Sequence, residues 1–171
     1  MIVATIHRRE TSRAAMEEVC CALLGVAQRH PDVQIVCPVH LNPNVRGPLR
    51  RLLSDVPNIT LLPPLDYQPM VWLLQRCHFV ITDSGGLQEE VTAIGKPVLV
   101  VRTRTERPEG VAAGTARLVG TDRETIETWA TRLLSEPDVY ERMARSTNPY
   151  GSGDAARKIV DVLRGHPRQA G

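Results

Sequence analysis

Short runs of β-branched and aliphatic residues alternate along this chain with stretches whose apolar positions recur every three or four residues. Residues 2–6, 34–37, 59–62, 79–82, 98–101 and 116–119 are strand candidates. Between the first two, Met16, Val19, Cys20, Leu23, Leu24 and Ala27 form one stripe of a helix. Ile126, Trp129, Ala130, Leu133 and Leu134 repeat that pattern, and Thr121-x-x-Glu124 before them has the form of a capping box. Asp66 can cap a third helix with Pro69 in its first turn, and residues 155–163 predict a last helix after the loop at 148–154. Residues 1–164 thus read as one domain and 165–171 as a disordered tail. Trp72 and Trp129 fall on apolar helix faces and are expected in the core, whereas His30, His78 and His166 read as surface or loop positions.

Strand–helix alternation implies a parallel sheet covered by helices on both faces. About six strands make one α/β domain, a doubly wound, Rossmann-like sheet, in which ligands bind beyond the carboxyl ends of the strands. The polar motifs lie there: His7-Arg8-Arg9-Glu10 after the first strand, His40-Leu41-Asn42-Pro43 after the second, residues 83–86 after the fourth and 103–110 after the fifth.

Composition narrows the class of partner. A chain of 171 residues with 42% hydrophobic residues has enough apolar material for one real core. A net charge of +2 is too small to argue for nucleic acid or an acidic membrane, and neither is expected as a partner. Lys96 and Lys158 are the only lysines, so the basic side is nearly all arginine; genome composition is the plainer reason, but many bidentate phosphate donors result. The four cysteines, Cys20, Cys21, Cys37 and Cys77, make no C-x-x-C pair and read as reduced, buried small hydrophobes of a cytoplasmic protein. No signal peptide is evident, and no apolar run reaches the roughly 18 residues a membrane span needs.

The sharpest chemical signal is Ser84-Gly85-Gly86. The apolar run Phe79-Val80-Ile81 stops just before it, and Leu87-Gln88-Glu89-Glu90 follows as the start of a helix. The first amides of a helix have no internal partners and lie at the positive end of its dipole, so they bind phosphate. Glycine lets a ligand approach them closely. Glu90, four residues past Gly86, shares its helix face one turn deeper, where it can accept hydrogen bonds from sugar hydroxyls. The layout suits a nucleotide diphosphate. An ordinary N-cap by Ser84 is the plainer alternative.

Seven motifs in register then carry a resemblance. They are His7-Arg8-Arg9-Glu10, Pro38-Val39-His40-Leu41-Asn42-Pro43-Asn44-Val45, residues 82–90, Gly95-Lys96-Pro97-Val98-Leu99, Thr105-Glu106-Arg107-Pro108-Glu109, Ala113-Gly114-Thr115 with Leu118-Val119-Gly120-Thr121, and Asn148-Pro149-Tyr150-Gly151. Together they resemble the C-terminal half of the non-hydrolysing UDP-N-acetylglucosamine 2-epimerases. The resemblance implies one of two Rossmann-like domains that face each other across a cleft, as in B-type glycosyltransferases. It implies interconversion of UDP-N-acetylglucosamine and UDP-N-acetylmannosamine through elimination and re-addition of UDP, without metal or nicotinamide cofactor. It also implies a missing N-terminal domain, which holds most carboxylates proposed for proton transfer at C2, and a homodimer in the full-length form. For the isolated chain the expectation is UDP binding without catalysis. The alternative is the nucleotide-sugar half of a B-type glycosyltransferase.

Carried over residue by residue, the resemblance assigns Ser84, Gly85 and Gly86 to the diphosphate, Glu90 to the ribose and Arg107 to the phosphates. His7 lies beside the diphosphate, as a donor to the leaving β-phosphate or as an acid there; a structural histidine is the alternative. Arg8 and His40 resemble residues that contact a second, activating UDP-N-acetylglucosamine in some members. Asp83 is expected to order the turn rather than touch ligand, and Glu89 to favour the helix dipole. Two positions depart from the family. Leu65 stands where a polar residue can hold the uracil end, and Met70 where an aromatic often packs on the base. Methionine can still cover a base face.

Overall fold

The computed structural model describes residues 1–7 and 12–165. All six expected strands occur: β1 (Ile2–Thr5), β2 (Ile35–Pro38), β3 (Ile59–Leu62), β4 (Val80–Thr82), β5 (Val98–Val100) and β6 (Ala116–Leu118). They form one sheet in the order β3-β2-β1-β4-β5-β6, and every pairing is parallel. Alternate side chains point to opposite faces of a strand, so each strand serves two cores. Ile2, Ala4, Ile35, Cys37, Phe79, Ile81 and Leu99 enter one. Val3, Val36, Val80, Val98, Val100 and Ala116 enter the other.

Helices α1 (Arg13–Arg29), α2 (Pro43–Leu53), α6 (Arg123–Ser135) and α7 (Pro137–Ala144) cover the first face, and α3 (Tyr67–Arg76) and α4 (Gly85–Ala93) the second. The short α5 (Pro108–Ala113) precedes β6, and α8 (Ala155–Gly165) closes the described chain. The helices α2, α5 and α7 lie outside the elements expected from the sequence. Each carries a proline at its first or second position, where the missing amide costs nothing. No described helix is long and apolar enough to cross a membrane.

Several expectations are corrected. Asp122, not Thr121, caps α6, accepting from the Thr125 amide at 2.8 Å. Gly120 takes a positive φ of 68°, and that turn moves the cap one residue along. Asp66 stands at the N-cap of α3 but makes no side-chain cap bond. Trp72 is exposed, because α3 buries only Leu73 and Leu74; Arg76 covers the ring at 4.1 Å instead. Trp129 is partly buried against the core, flanked by Arg117 and Arg132. His30 and His78 do lie in loops, as expected; His78 is half-buried there, stacked on Tyr140 at 4.0 Å and bonded to the Leu133 carbonyl at 3.1 Å, and burial lowers its pKa. His30 is also half-buried and pairs with the Thr131 hydroxyl. His166, and all of the expected tail beyond Gly165, lie outside the described residues, while α8 itself leaves Ile159, Val162 and Leu163 exposed.

All four cysteines are unbridged, and only Cys21 is less than fully buried. Burial pushes the thiols of Cys20 and Cys37 up to about 12 and that of Cys77 to about 11. They act as apolar filler rather than nucleophiles.

Candidate functional site

The chain leaves β1 toward β2 and leaves β4 toward β5, in opposite directions across the sheet. Adjacent strands whose connections diverge open a crevice at their carboxyl ends. Here Thr5 and Thr82 lie in register, their hydroxyl oxygens 2.7 Å apart. Thr82 Oγ1 also accepts the Ser84 amide at 3.0 Å, which sets the turn out of β4.

His7 and Asp83 meet just beyond that pair. Asp83 is 1% exposed. Its carboxylate accepts the His7 backbone amide at 3.0 and 3.2 Å and lies 2.6 Å from His7 Nδ1. Asp83 thus orders more than its own turn: it joins the exit of β1 to the exit of β4. It also selects the ring nitrogen that carries a proton, since the carboxylate takes Nδ1–H.

Ser84 is the N-cap of α4 and its hydroxyl accepts from the Leu87 amide at 3.4 Å, so the capping role is real. The two glycines that follow need another reason. Neither has a positive φ. A Cβ on Gly86 would meet nothing within 4 Å, and one on Gly85 only a Glu106 carboxylate oxygen at 3.7 Å. Their amides have no hydrogen-bond partner among the described residues. The glycines therefore leave open backbone at the positive end of a helix.

The loop after β5 packs against α4. Arg107 forms an ion pair with Glu89 on α4, which keeps the guanidinium firmly charged. Its backbone amide donates to Thr105 Oγ1 at 3.1 Å, and its carbonyl accepts from the Tyr150 hydroxyl at 3.5 Å. Tyr150 in turn accepts the Gly110 amide at 3.0 Å. Burial raises the Tyr150 pKa, keeping the phenol protonated as a donor. The Thr105 hydroxyl donates to Gln88 Oε1 at 2.8 Å, and Gln88 Nε2 donates to the Ser84 carbonyl at 3.1 Å. Gln88 and Glu89 were not read as site residues from the sequence. The position of Gln88 one helical turn after Ser84 is the signal that was there to be used.

A cavity of about 190 Å³ spans the crevice, with His7, His40, Leu65, Met70, Ser84 and Leu87 among its walls. His40 is exposed on the rim, its ring centroid 6.2 Å from that of His7. Arg8 lies outside the described residues. Leu65 and Met70 are half-buried and make the apolar wall opposite the histidines. Glu90 is half-buried one turn below Gly86 and has no hydrogen bond or ion pair among the described residues. Of the expected positions, the cavity brings together His7, His40, Met70 and Ser84; Gly85, Gly86, Glu90 and Arg107 are not among its walls. A larger hollow of about 450 Å³ between α1 and α2 lacks this convergence; its Arg13 and Arg51 are exposed and already paired with Glu17.

Sheet order and crevice define a doubly wound α/β domain of the Rossmann-like class, with its ligand crevice at the topological switch point. More specifically, the chain belongs to the UDP-N-acetylglucosamine 2-epimerase family, whose model matches residues 1–164. It is 52% identical over 164 residues to the UDP-N-acetylglucosamine 2-epimerase of Escherichia coli K12, covering 96% of this chain and 44% of that protein. The crystal structure of the UDP-GlcNAc 2-epimerase of Neisseria meningitidis bound to UDP-GlcNAc superposes with a TM-score of 0.92. The two share 45% identity over 96% of this chain and 44% of that one. The MnaA–UDP co-structure from S. aureus gives 0.91 at 38% identity, covering 95% and 45%. The chain thus spans less than half the length of these relatives.

Proposed function

We propose that this chain is the UDP-binding half of a UDP-N-acetylglucosamine 2-epimerase that acts in the cytoplasm, and that alone it binds UDP without epimerising. The observation that carries this reading is the pair of glycines at the start of α4, which neither backbone conformation nor packing requires. Glycine is a poorer helix former than alanine, so a ligand that needs bare amides explains them. That relatives of this fold were solved with UDP-GlcNAc and with UDP supports the same ligand class here.

In this reading the amides of Gly85 and Gly86 and the Ser84 hydroxyl hold the diphosphate. Arg107 turns from Glu89 to a phosphate oxygen, where a guanidinium makes charge-assisted bonds. Glu90 accepts from the ribose hydroxyls, and Met70 covers the base. Asp83 orients His7, which donates toward the β-phosphate as the C1–O bond breaks and the charge moves onto UDP. Arg8 and His40 would serve a second nucleotide sugar at the rim. The C2 proton is handled by groups in the part of the relatives that this chain does not match. Half a cleft cannot exclude water or align a base with C2. In the complete protein that part would close the cleft, and two such chains would associate as a homodimer.

Calorimetry with UDP, together with a C2 proton-exchange assay in heavy water, tests both statements. The expected result is UDP binding by the isolated chain and no exchange at C2. Exchange by the chain alone would overturn the binding-only statement, and absence of UDP binding would overturn the site.

A further inference from the structure

We propose that Gln88 and Thr105 form a buried strut that aims the Gly85 amide and fixes Arg107 at its distance from it, which makes Gln88 a positioning residue for phosphate binding. The proposal rests on reading the turn at residues 84–86 as the diphosphate cradle. Gln88 is fully buried. An amide in such a place costs free energy unless both ends are bonded, and a leucine would fill the space without that cost. Both ends are bonded, one to the Ser84 backbone carbonyl and the other to the Thr105 hydroxyl.

Nε2 donates to the Ser84 carbonyl at 3.1 Å, and the Gln88 backbone amide donates to the same oxygen at 3.3 Å. One residue thus clamps that carbonyl twice. The peptide between Ser84 and Gly85 is planar and trans, so a carbonyl held inward turns the Gly85 N–H the opposite way, toward the crevice. At the other end, Oε1 takes the Thr105 proton at 2.8 Å. That commits Thr105 Oγ1 to act as acceptor for the Arg107 amide at 3.1 Å. The chain of bonds runs unbroken from the Ser84 carbonyl to the Arg107 backbone. It joins the Glu89–Arg107 ion pair and the Tyr150 hydroxyl in anchoring a loop that is exposed at Thr103, Arg104, Glu106 and Pro108.

The test is calorimetric titration of the 171-residue chain with UDP, with inorganic diphosphate as a second probe. Gln88→Met keeps the length of the side chain and loses both bonds; Thr105→Val keeps its shape and loses the hydroxyl; Thr105→Ser keeps the hydroxyl. Each of the first two should weaken UDP and diphosphate about tenfold, and the two together no more than Gln88→Met alone, because they cut one chain of bonds. Thr105→Ser should bind within about twofold of the parent. Combined with Arg107→Ala, Thr105→Val should have no further effect, which a general loosening of the fold would not reproduce. Folded Gln88→Met and Thr105→Val chains with undiminished affinity would overturn the proposal. So would an equal loss from Thr105→Val with and without Arg107. If Gln88→Met does not fold, the Thr105 variants decide. Failure of the parent chain to bind either probe would instead refute the cradle itself.

Discussion

Asp83 holds His7 at two points, accepting its backbone amide at 3.0 Å and lying 2.6 Å from ring Nδ1. The carboxylate is buried where β1 and β4 end side by side, so the sheet helps set the orientation of the imidazole. Asp83→Asn keeps an oxygen for the backbone amide but offers an N–H where the carboxylate took one. The His7 ring should then change tautomer or turn, and UDP should bind about threefold to tenfold more weakly. Long-range proton–nitrogen NMR of His7 reads the first effect and calorimetry the second. Unchanged ring signals would show that Asp83 supports only the backbone.

Gly86→Ala should move stability and binding in opposite directions. Gly86 has a negative φ and open space around a Cβ, so alanine should stabilise the empty chain by about 0.5–1 kcal/mol. In the proposed cradle the same methyl would stand in the way of a phosphate oxygen, and UDP affinity should fall. Thermal melts and titration on one preparation check both signs. A gain in stability with full UDP affinity would reduce the glycines to a capping sequence.

Arg107 and Glu89 make a further pair of opposite signs. Both side chains are more than a third exposed, so their ion pair adds little to stability. Its consequence is for binding, because a phosphate must compete with Glu89 for the guanidinium. Glu89→Gln should therefore tighten UDP, while Arg107→Ala should weaken it about tenfold to a hundredfold. Both effects should shrink as salt is raised. Equal affinity across the three proteins would leave Arg107 a surface residue.

The six strands were legible because each is a short apolar run between turn residues, and the two-sided burial follows from the period of two. The Ser84-Gly85-Gly86 turn was legible for a related reason: its signal is local. What the sequence concealed depends on which strands become neighbours. Nothing near Asp83 announces that it will meet His7, and only the adjacency of β1 and β4 brings them together. The Thr105–Gln88 bond likewise crosses from a loop to a helix. The helix α2 was hidden by its own composition, with Gly47 and Pro48 in its middle. Trp72 misled because a stripe marks the side of a helix that can be buried, not how much of it a neighbouring element covers.

Acid should find a weak point far from the site. Glu127 is 7% exposed between α1 and α6. Burial opposes its ionisation, but bonds from Arg123 at 2.6 Å and Arg29 at 2.9 Å prevail and hold its pKa below the ordinary glutamate value of 4.5. In the unfolded chain it titrates near 4.5, so its stabilisation is complete above that pH and is lost as pH falls through the lower folded value. Urea melts from pH 7 to 3 should show the loss. Glu127→Gln should cost about 1–3 kcal/mol at pH 7 and flatten the acid limb. Gly25→Ala should also destabilise the chain, since its Cβ would collide with the Glu127 carboxylate. A parent and a Glu127→Gln chain with the same acid dependence would exclude the ion pair as its origin.

In the proposed site, Glu90 and Met70 are the residues that would distinguish a nucleoside from two phosphates. Glu90 is half-buried one turn below the bare amides, and Met70 lies on the apolar wall with Leu65. Neither can bond a phosphate favourably, since one is an anion and the other a thioether. Glu90→Ala and Met70→Ala should therefore each weaken UDP several-fold while leaving inorganic diphosphate unchanged or, for Glu90→Ala, slightly tighter as a negative charge is removed. Replacing the sugar hydroxyls gives the matching control: 2′-deoxy-UDP should bind the parent chain less well than UDP and the Glu90→Ala chain equally well. Leu65 has no side-chain group to bond the uracil edge, so CDP should bind within about tenfold of UDP, a gap that one lost hydrogen bond would already fill. Equal losses for UDP and diphosphate from Glu90→Ala would remove the ribose from its role.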